Sequence, residues 1–205
     1  MIDRHFLGVQ NALCRPIAVR LCAHGVTADT LTVIGFSFGI GSAVLISLKF
    51  YELALIPFFL NRVFDGLDGA VARLTKPTDR GAFLDIALDF SFYAMIPTAF
   101  ALANPGSNAL PASILLASFM GTASSFLAFA VIAAKRGTRS VEFPQKGIYY
   151  LGGLTEGAET IFAFTAMCIW PHFFPTIAIV FSILAAVTTV MRWSWGWITF
   201  SESGL

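Results

Sequence analysis

Four aspartates in the middle of the chain have a spacing that suits shared acid chemistry. Asp65 and Asp68 are three residues apart, and Asp85 and Asp89 are four residues apart. On helices, each spacing places both carboxylates of a pair on one face. The flanking sequence is strongly apolar and only 12% of all residues are charged, so the acids lie at the edge of, or inside, membrane-spanning segments. Carboxylates gathered there repel one another and lose solvation unless something compensates their charge.

A bound divalent cation would compensate the acids. Ligands that are all oxygen suit a hard ion such as Mg²⁺, Mn²⁺ or Ca²⁺ better than zinc. Between the two pairs, Gly69, Ala70 and Ala72 let another group approach the backbone, and Arg73 matches the geometry of phosphate or carboxylate. These features indicate a phosphate-bearing substrate. The alternative is two polar helix ends at an aqueous turn, but acids within membrane segments seldom occur without a function.

This stretch resembles the signature of the CDP-alcohol phosphatidyltransferase family, D-x-x-D-G-x-x-A-R, a short spacer, then G-x-x-x-D-x-x-x-D. The chain has every signature position, with seven residues in the spacer: Asp65, Asp68, Gly69, Ala72, Arg73, Gly81, Asp85 and Asp89. The resemblance covers nearly the whole chain, because family members are small six-helix membrane proteins. It implies an enzyme of phospholipid synthesis that acts as a homodimer.

The resemblance also implies the reaction. An acceptor hydroxyl attacks the β-phosphoryl group of a CDP-alcohol, usually CDP-diacylglycerol, and CMP leaves. By similarity, Asp65, Asp68 and Asp85 are metal ligands for two Mg²⁺ or Mn²⁺ ions. Asp89 completes the metal site and serves as the catalytic base; a purely ligating role for Asp89 is the alternative.

Nucleotide-binding residues are carried over in the same way. Arg73 would hold the diphosphate, while Gly69, Ala72 and Gly81 make room for the nucleotide. Family members often have P-N-x-x-T at the first spanning helix, and Thr32 matches its last position.

The chain departs from that element at two positions. Ala28 stands in place of proline, and Asp29 stands in place of asparagine. An extra acid near a phosphate is unexpected, so Asp29 is alternatively a helix cap, as is Thr27.

Composition limits the fold class. The 205 residues are 57% hydrophobic with a mean hydropathy of +0.76, above the roughly 45–50% apolar content of soluble domains. We expect an all-α integral membrane protein with a single domain over residues 1–205. The net charge of +1 offers no basic surface for nucleic acid, and the three cysteines are too scattered for a zinc site.

The hydrophobic pattern predicts an amphipathic interfacial helix over residues 1–24, followed by a six-helix membrane bundle over 26–200. Phe6, Val9, Leu13, Ile17 and Leu21 form the apolar stripe of the first helix. The predicted spanning helices are residues 26–48, 53–74, 81–103, 110–134, 147–169 and 175–198. An uncharged turn is expected at 104–108, and Trp193, Trp195 and Trp197 are expected to form an interfacial belt.

Lysine and arginine counts predict the orientation. The N-terminal segment, the loop region between the second and third spanning helices, and that between the fourth and fifth carry three, three and four of them. The other side has only Lys49. The positive-inside rule then places both termini and the acidic site on the cytoplasmic side. The resemblance, which is strongest to small bacterial members of the family, implies a bacterial inner membrane.

The acceptor alcohol is not identified by the sequence. Glu156 and Glu159 fall inside the predicted fifth helix, where they would receive a cationic acceptor or headgroup, or pair with Arg62 or Arg192. Four basic residues near the fourth loop would either bind a phosphorylated acceptor or serve only to orient the protein: Lys135, Arg136, Arg139 and Lys146.

A cation transporter or channel lined by the aspartates is the alternative from another functional class. We find no internal repeat, and the acids gather at one face instead of crossing the bilayer. The element Gly69-x-x-Ala72-Arg73 also has no evident role in a transporter. A family member that has lost activity and acts only as a partner is a further alternative, and the complete signature argues against it.

Overall fold

The structure is a computed structural model that describes residues 14–137 and 153–201, and these residues are helical with short connections. Two predicted basic residues, Arg139 and Lys146, lie outside the described ranges, as do Phe6, Val9 and Leu13 of the N-terminal stripe. The helices are α1 (residues 14–23), α2 (Ala28–Ser47), α3 (Tyr51–Leu74), α4 (Asp79–Ala103), α5 (Pro105–Lys135), α6 (Gly157–Ile169) and α7 (Phe174–Ser201). A 3₁₀ turn, Pro171–Phe173, joins the last two.

Four of the described helices are long and apolar enough to cross a membrane: α2, α4, α5 and α7 with its preceding turn. The sequence predicted six such helices, so this prediction is correct only in part. The charged residues of the site lower the hydropathy of α3. Within the described residues α6 has 13 residues and is therefore about 20 Å long, shorter than the roughly 30 Å hydrocarbon core of a bilayer.

The N-terminal helix packs against the helices of the site. Ala18 is fully buried in a cluster with Leu31 of α2 and Leu67 and Val71 of α3. Cys14, Leu21 and Cys22 extend this face of α1. Of the predicted apolar stripe, Leu21 is partly buried at this cluster and Ile17 is half exposed. The face of α1 that packs against α2 and α3 is centred on Ala18.

The connection between α4 and α5 is shorter than predicted. Asn104 alone separates the two helices, and α5 begins at Pro105. Proline is favoured at the first helical position because it has no N–H to leave unpaired there. The Asn108 amide donates to the Phe100 carbonyl at 2.9 Å and so satisfies the end of α4. The turn predicted at 104–108 is therefore mostly helix.

Aromatic side chains fill the core between the helices. Phe58, Phe92, Phe100, Phe164 and Phe174 are fully buried and come from α3, α4, α6 and α7. They form ring contacts such as the stacked pair Phe100–Phe174, whose centroids are 4.5 Å apart. This cluster packs against the N-terminal half of α3 and the C-terminal half of α4. The acidic residues lie in the opposite half of each helix.

Candidate active site

Helix α2 packs against both acidic helices, α3 and α4. Two glycines make this possible. A Cβ atom on Gly35 would lie 2.9 Å from Phe64 Cβ on α3, and one on Gly39 would lie 2.7 Å from Phe92 Cδ2 on α4. This close packing of small residues lets α2 contact both acidic helices and so brings the two pairs of aspartates together.

All four predicted aspartates line one cavity of about 10 Å³, which is the size of a single water-sized particle. The other residues that line this cavity include Thr32, Gly35, Asn61 and Arg62. The sequence spacing predicted that each pair shares one helix face. In the structure the face of α3 with the first pair and the face of α4 with the second pair border the same cavity.

Asp68 is the most buried of the four acids, with 5% of its surface exposed. The Thr32 hydroxyl donates to Asp68 Oδ2 at 2.6 Å and also lies 3.0 Å from the Ala28 carbonyl. The sequence associated Thr32 with the nucleotide. Its contact in the structure is with the carboxylate, which it orients toward the cavity.

Arg62 is the residue of the site that sequence reasoning missed. Its guanidinium donates to Asp89 Oδ1 at 2.9 Å and lies 3.8 Å from Asp65 Oδ2. From the sequence, Arg62 was expected only as a candidate partner for the glutamates of the fifth predicted helix. The available signal was its position three residues before Asp65, since residues three apart are neighbours on a helix surface.

Further contacts hold the Arg62 guanidinium in place. Its Nε donates to Asn61 Oδ1 at 2.7 Å, and the Asn61 amide in turn donates to the Gly35 carbonyl at 2.8 Å. The guanidinium carbon lies 4.5 Å above the Phe92 ring, and NH1 is 3.3 Å from the Tyr93 hydroxyl. These contacts link α2, α3 and α4 around Asp89.

Within residues 14–137 and 153–201, no three side chains of the His, Cys, Asp and Glu types converge closely enough to form a ready-made metal site. In this arrangement Asp89 accepts from Arg62 and Asp68 accepts from Thr32. The donor set nevertheless fits a hard cation, since it consists of carboxylates with a hydroxyl and an amide around an ion-sized cavity. Metal ligation by the four aspartates stays a prediction.

Of the predicted nucleotide residues, Thr32 lines the acidic cavity, whereas Gly69, Ala72, Arg73 and Gly81 are not among its lining residues. A Cβ on Gly69 would lie 3.1 Å from Arg73 NH1, so the guanidinium folds over the glycine. Ala72 is partly buried on the same helix. Burial raises the pKa of the Cys14 thiol, and the Arg73 charge opposes part of that rise, which places Arg73 near α1. At Gly81, an added Cβ would lie 3.0 Å from Asp29 Oδ1.

Asp29 is not the cap of α2. Thr27 takes that role and accepts from the Thr30 N–H at 3.3 Å. Asp29 instead receives two hydrogen bonds from the Arg80 guanidinium, the Nε bond being 2.9 Å long. The extra acid that the sequence left unexplained is thus neutralised by Arg80, and the pair ties the start of α2 to the start of α4.

A second, larger cavity of about 470 Å³ adjoins the first. Asp89 lines both cavities. The polar part of the second cavity is formed by Thr155, Glu156, Thr160 and Arg192, and its apolar wall by side chains of α4 and α5 that include Phe90, Leu116, Phe119, Met120 and Phe126.

The two glutamates of the predicted fifth helix form its cap. The Glu156 side chain accepts from the N–H of Glu159, and the Glu159 carboxylate accepts from the Glu156 N–H at 3.1 Å. The helix therefore begins at Gly157, and the described residues before it, 153–156, are not helical, contrary to the predicted start at 147. Arg62, one of the two arginines proposed to pair with these glutamates, pairs instead with Asp89.

The described basic residues at the end of α5 lie away from this cavity. Lys135 and Arg136 are exposed. Arg136 donates to the Phe200 carbonyl at 2.9 Å, and its guanidinium lies 5.0 Å above the Phe200 ring. These contacts connect the ends of α5 and α7, and neither residue is among those that line the second cavity.

Comparison with known proteins identifies the family that the sequence signature resembles. The CDP-alcohol phosphatidyltransferase family model matches residues 25–200. The chain is 46% identical over 203 residues to inner membrane protein YnjF of Escherichia coli (strain K12), covering 98% of each chain.

Two crystal structures of the Mycobacterium tuberculosis phosphatidylinositol phosphate synthase PgsA1 share its fold. The structure with CDP-DAG bound has a TM-score of 0.71 at 19% identity and covers 91% of this chain and 94% of its own. The structure in complex with manganese and citrate has a TM-score of 0.70 at 22% identity and covers 90% and 88%. With the complete signature and the family match over most of its length, the chain belongs to the CDP-alcohol phosphatidyltransferase family, membrane transferases of phospholipid synthesis.

Proposed function

We propose that this protein transfers the phosphatidyl group of CDP-diacylglycerol to an acceptor alcohol and releases CMP. The observation that carries the proposal is the position of Asp89, which lines both the acidic cavity and the larger cavity beside it. The diphosphate of the donor would lie at the acidic cavity, and the acceptor would enter the larger one. Asp89 would then lie between the reacting phosphorus and the acceptor hydroxyl. CDP-DAG in the related crystal structure supports this choice of donor.

The acidic cavity would hold Mg²⁺ or Mn²⁺ through Asp65, Asp68, Asp85 and Asp89, and the manganese complex of the same relative supports this assignment. A bound divalent ion neutralises charge on the diphosphate and so favours departure of CMP. Two ions, as the family resemblance implies, stay a prediction that metal analysis of the purified protein would test.

The protein side chains have separable tasks in the displacement. The acceptor oxygen forms a bond to the β-phosphorus while the bond from that phosphorus to the CMP oxygen breaks, and its electron pair leaves with CMP. Asp89 takes the proton of the acceptor hydroxyl. Arg62 holds the Asp89 carboxylate through its 2.9 Å hydrogen bond and so limits the directions from which it can accept a proton. Arg73, folded over Gly69, would contact the diphosphate.

Location and orientation follow from similar support. The relative in E. coli is named as an inner membrane protein, and four described helices are apolar enough to cross a bilayer. We propose a bacterial inner membrane with the active site on the cytoplasmic side, where the loops are rich in lysine and arginine. Family membership favours this enzyme over the cation transporter considered from sequence.

The test is CMP release from CDP-diacylglycerol by the purified full-length protein, with and without Mg²⁺ or Mn²⁺, across a panel of acceptor alcohols. We expect release that requires both metal and acceptor. The variant Asp89→Asn should abolish release while binding of CDP-diacylglycerol and the melting temperature are retained. Asp79→Asn is the matched control, since Asp79 is an exposed acid in the first turn of the same helix. Normal turnover by Asp89→Asn would refute the role of that residue, and absence of metal-dependent nucleotide binding would refute the function.

A further inference from the structure

Resting on the proposed function, we infer that the acceptor is a small alcohol of no net charge, such as a polyol or a zwitterion, without a phosphate group. The basis is the set of charges at the polar end of the 470 Å³ cavity. Among the described residues, its lining carries one cationic side chain, Arg192, and two acidic ones, Glu156 and Asp89.

Glu156 and Arg192, the acid and the cation at this end, both lie close to Gly153. The Glu156 Oε1 atom accepts from the Gly153 N–H at 2.8 Å, and a Cβ on Gly153 would lie 3.4 Å from Arg192 NH2. Both charged residues are only 9% exposed. Because both groups are sheltered from water, each would interact strongly with the charge of a ligand that binds next to it.

Both groups are also fixed before any ligand binds. Glu156 is part of the cap of α6. Arg192 donates to the Thr122 carbonyl at 3.1 Å, and its guanidinium carbon lies 5.7 Å from the centre of the Phe126 ring. Because both side chains already have partners within the protein, a ligand would meet an arrangement that presents one positive and one negative group.

A phosphorylated acceptor would suit this arrangement poorly. A phosphate monoester carries about −1.5 to −2 charge at neutral pH. Among the described residues of the lining it would meet one guanidinium, Arg192, together with the Glu156 carboxylate, and juxtaposed like charges select against a partner. The described basic residues that the sequence offered for such a phosphate, Lys135 and Arg136, are exposed at the end of α5 and do not line the cavity.

The experiment compares acceptors in matched pairs that differ only in the phosphate: glycerol with glycerol 3-phosphate, and inositol with inositol phosphate, with serine as a zwitterion. CMP release is measured with wild-type protein and Mn²⁺. We expect release with at least one member that lacks phosphate, at a kcat/KM at least about tenfold above that of its phosphorylated partner. A preference for the phosphorylated member would overturn the inference while leaving the proposed transferase function intact.

The variant Glu156→Gln tests the role of the Glu156 charge directly. Glu156→Gln keeps an oxygen for the Gly153 N–H but removes the negative charge. We expect it to shift the ratio of kcat/KM values about tenfold or more toward the phosphorylated member of each pair. Arg136→Gln, which removes a cation outside the cavity, should leave the ratio unchanged. An unchanged ratio in Glu156→Gln that retains the wild-type melting temperature would contradict the assignment.

Binding provides a readout that needs no turnover. The melting temperature of protein loaded with CDP-diacylglycerol is measured with each acceptor added. Stabilisation by an acceptor without phosphate supports the inference. Stabilisation by phosphorylated members alone, or by none of the acceptors, refutes it. Failure of the proposed function is distinct, because the protein would then show neither metal-dependent binding of CDP-diacylglycerol nor CMP release.

Discussion

Replacing Gly39 with alanine is expected to disturb the site from outside it. The added Cβ would lie 2.7 Å from Phe92 Cδ2 and 3.2 Å from Asn61 Nδ2. Phe92 is fully buried and its ring packs against Phe58, with centroids 5.7 Å apart, so the ring has little freedom to move away. The Arg62 guanidinium lies above the same ring. A shift of Phe92 or of α4 would therefore also move the group that holds Asp89.

The magnitude follows from a comparison with Gly41→Ala on the same helix. A Cβ on Gly41 would have Pro57 Cβ at 3.9 Å as its nearest neighbour, which is ordinary contact. Both variants gain the same helix propensity, about 1 kcal/mol. Only Gly39→Ala pays for overpacking, about 1–3 kcal/mol. At about 2–4 °C per kcal/mol for a chain of this length, Gly39→Ala should melt roughly 2–12 °C below Gly41→Ala.

The assay is thermal unfolding of both variants in one detergent, followed by metal-dependent CMP release at a temperature where both are folded. We expect lower kcat in Gly39→Ala and near wild-type kcat in Gly41→Ala. Equal melting temperatures and equal activities would show that α2 does not control the separation of the acidic helices, and the packing argument would fail.

Three other predictions concern the site itself. Arg62→Gln should lower kcat about 100-fold with little change in the KM of the donor, because Asp89 loses its fixed position; unchanged kcat would contradict the positioning role. Thr32→Val should weaken Mn²⁺ binding about 10–100-fold, measured by calorimetry, because Asp68 loses an orienting hydrogen bond; wild-type affinity would argue against ligation by Asp68. Chelation of divalent ions should stop CMP release, and added Mn²⁺ should restore it; release that persists in chelator would exclude the metal-dependent reaction.

The acidic residues were predictable from the sequence because their signal is local. Spacings of three and four residues define a helix face without knowledge of the fold. Apolar flanks show that the carboxylates between Asp65 and Asp89 lie where isolated charge is costly. Those two facts, together with the family signature, were enough to predict that the two pairs meet, and the structure places both on one cavity.

The contacts of Arg62 were not predictable in the same way. They depend on how α2 packs between the acidic helices, which two glycines and one buried aromatic ring decide. The predicted order of helices did not determine which acid Arg62 contacts. The candidates were Glu156, Glu159, Asp65 and Asp89. The close approach at Gly39 places α2 against Phe92, the ring beneath the guanidinium that binds Asp89.

The start of α6 was missed for a different reason. A long apolar run predicts a long helix, and residues 147–169 read as one. Glu156 and Glu159 form reciprocal hydrogen bonds with backbone N–H groups, and this cap sets the helix start at Gly157. The two carboxylates, which would be costly to bury inside a membrane helix, thus have hydrogen-bond partners at the helix start. Glu156 therefore lies at the wall of the larger cavity.

Asp68 and Asp89 look equivalent in the sequence but have different surroundings in the structure, which suit the different tasks proposed for them. Asp68 is 5% exposed and receives the Thr32 hydroxyl, so its carboxylate is fixed and shielded, as a metal ligand requires. The Asp89 side chain is 33% exposed, is held by Arg62 and borders the cavity proposed for the acceptor. A base must be reached by the hydroxyl that it deprotonates. Of the four aspartates, Asp89 is the one that lines the second cavity, and this position favours the proposed catalytic role over a purely ligating one.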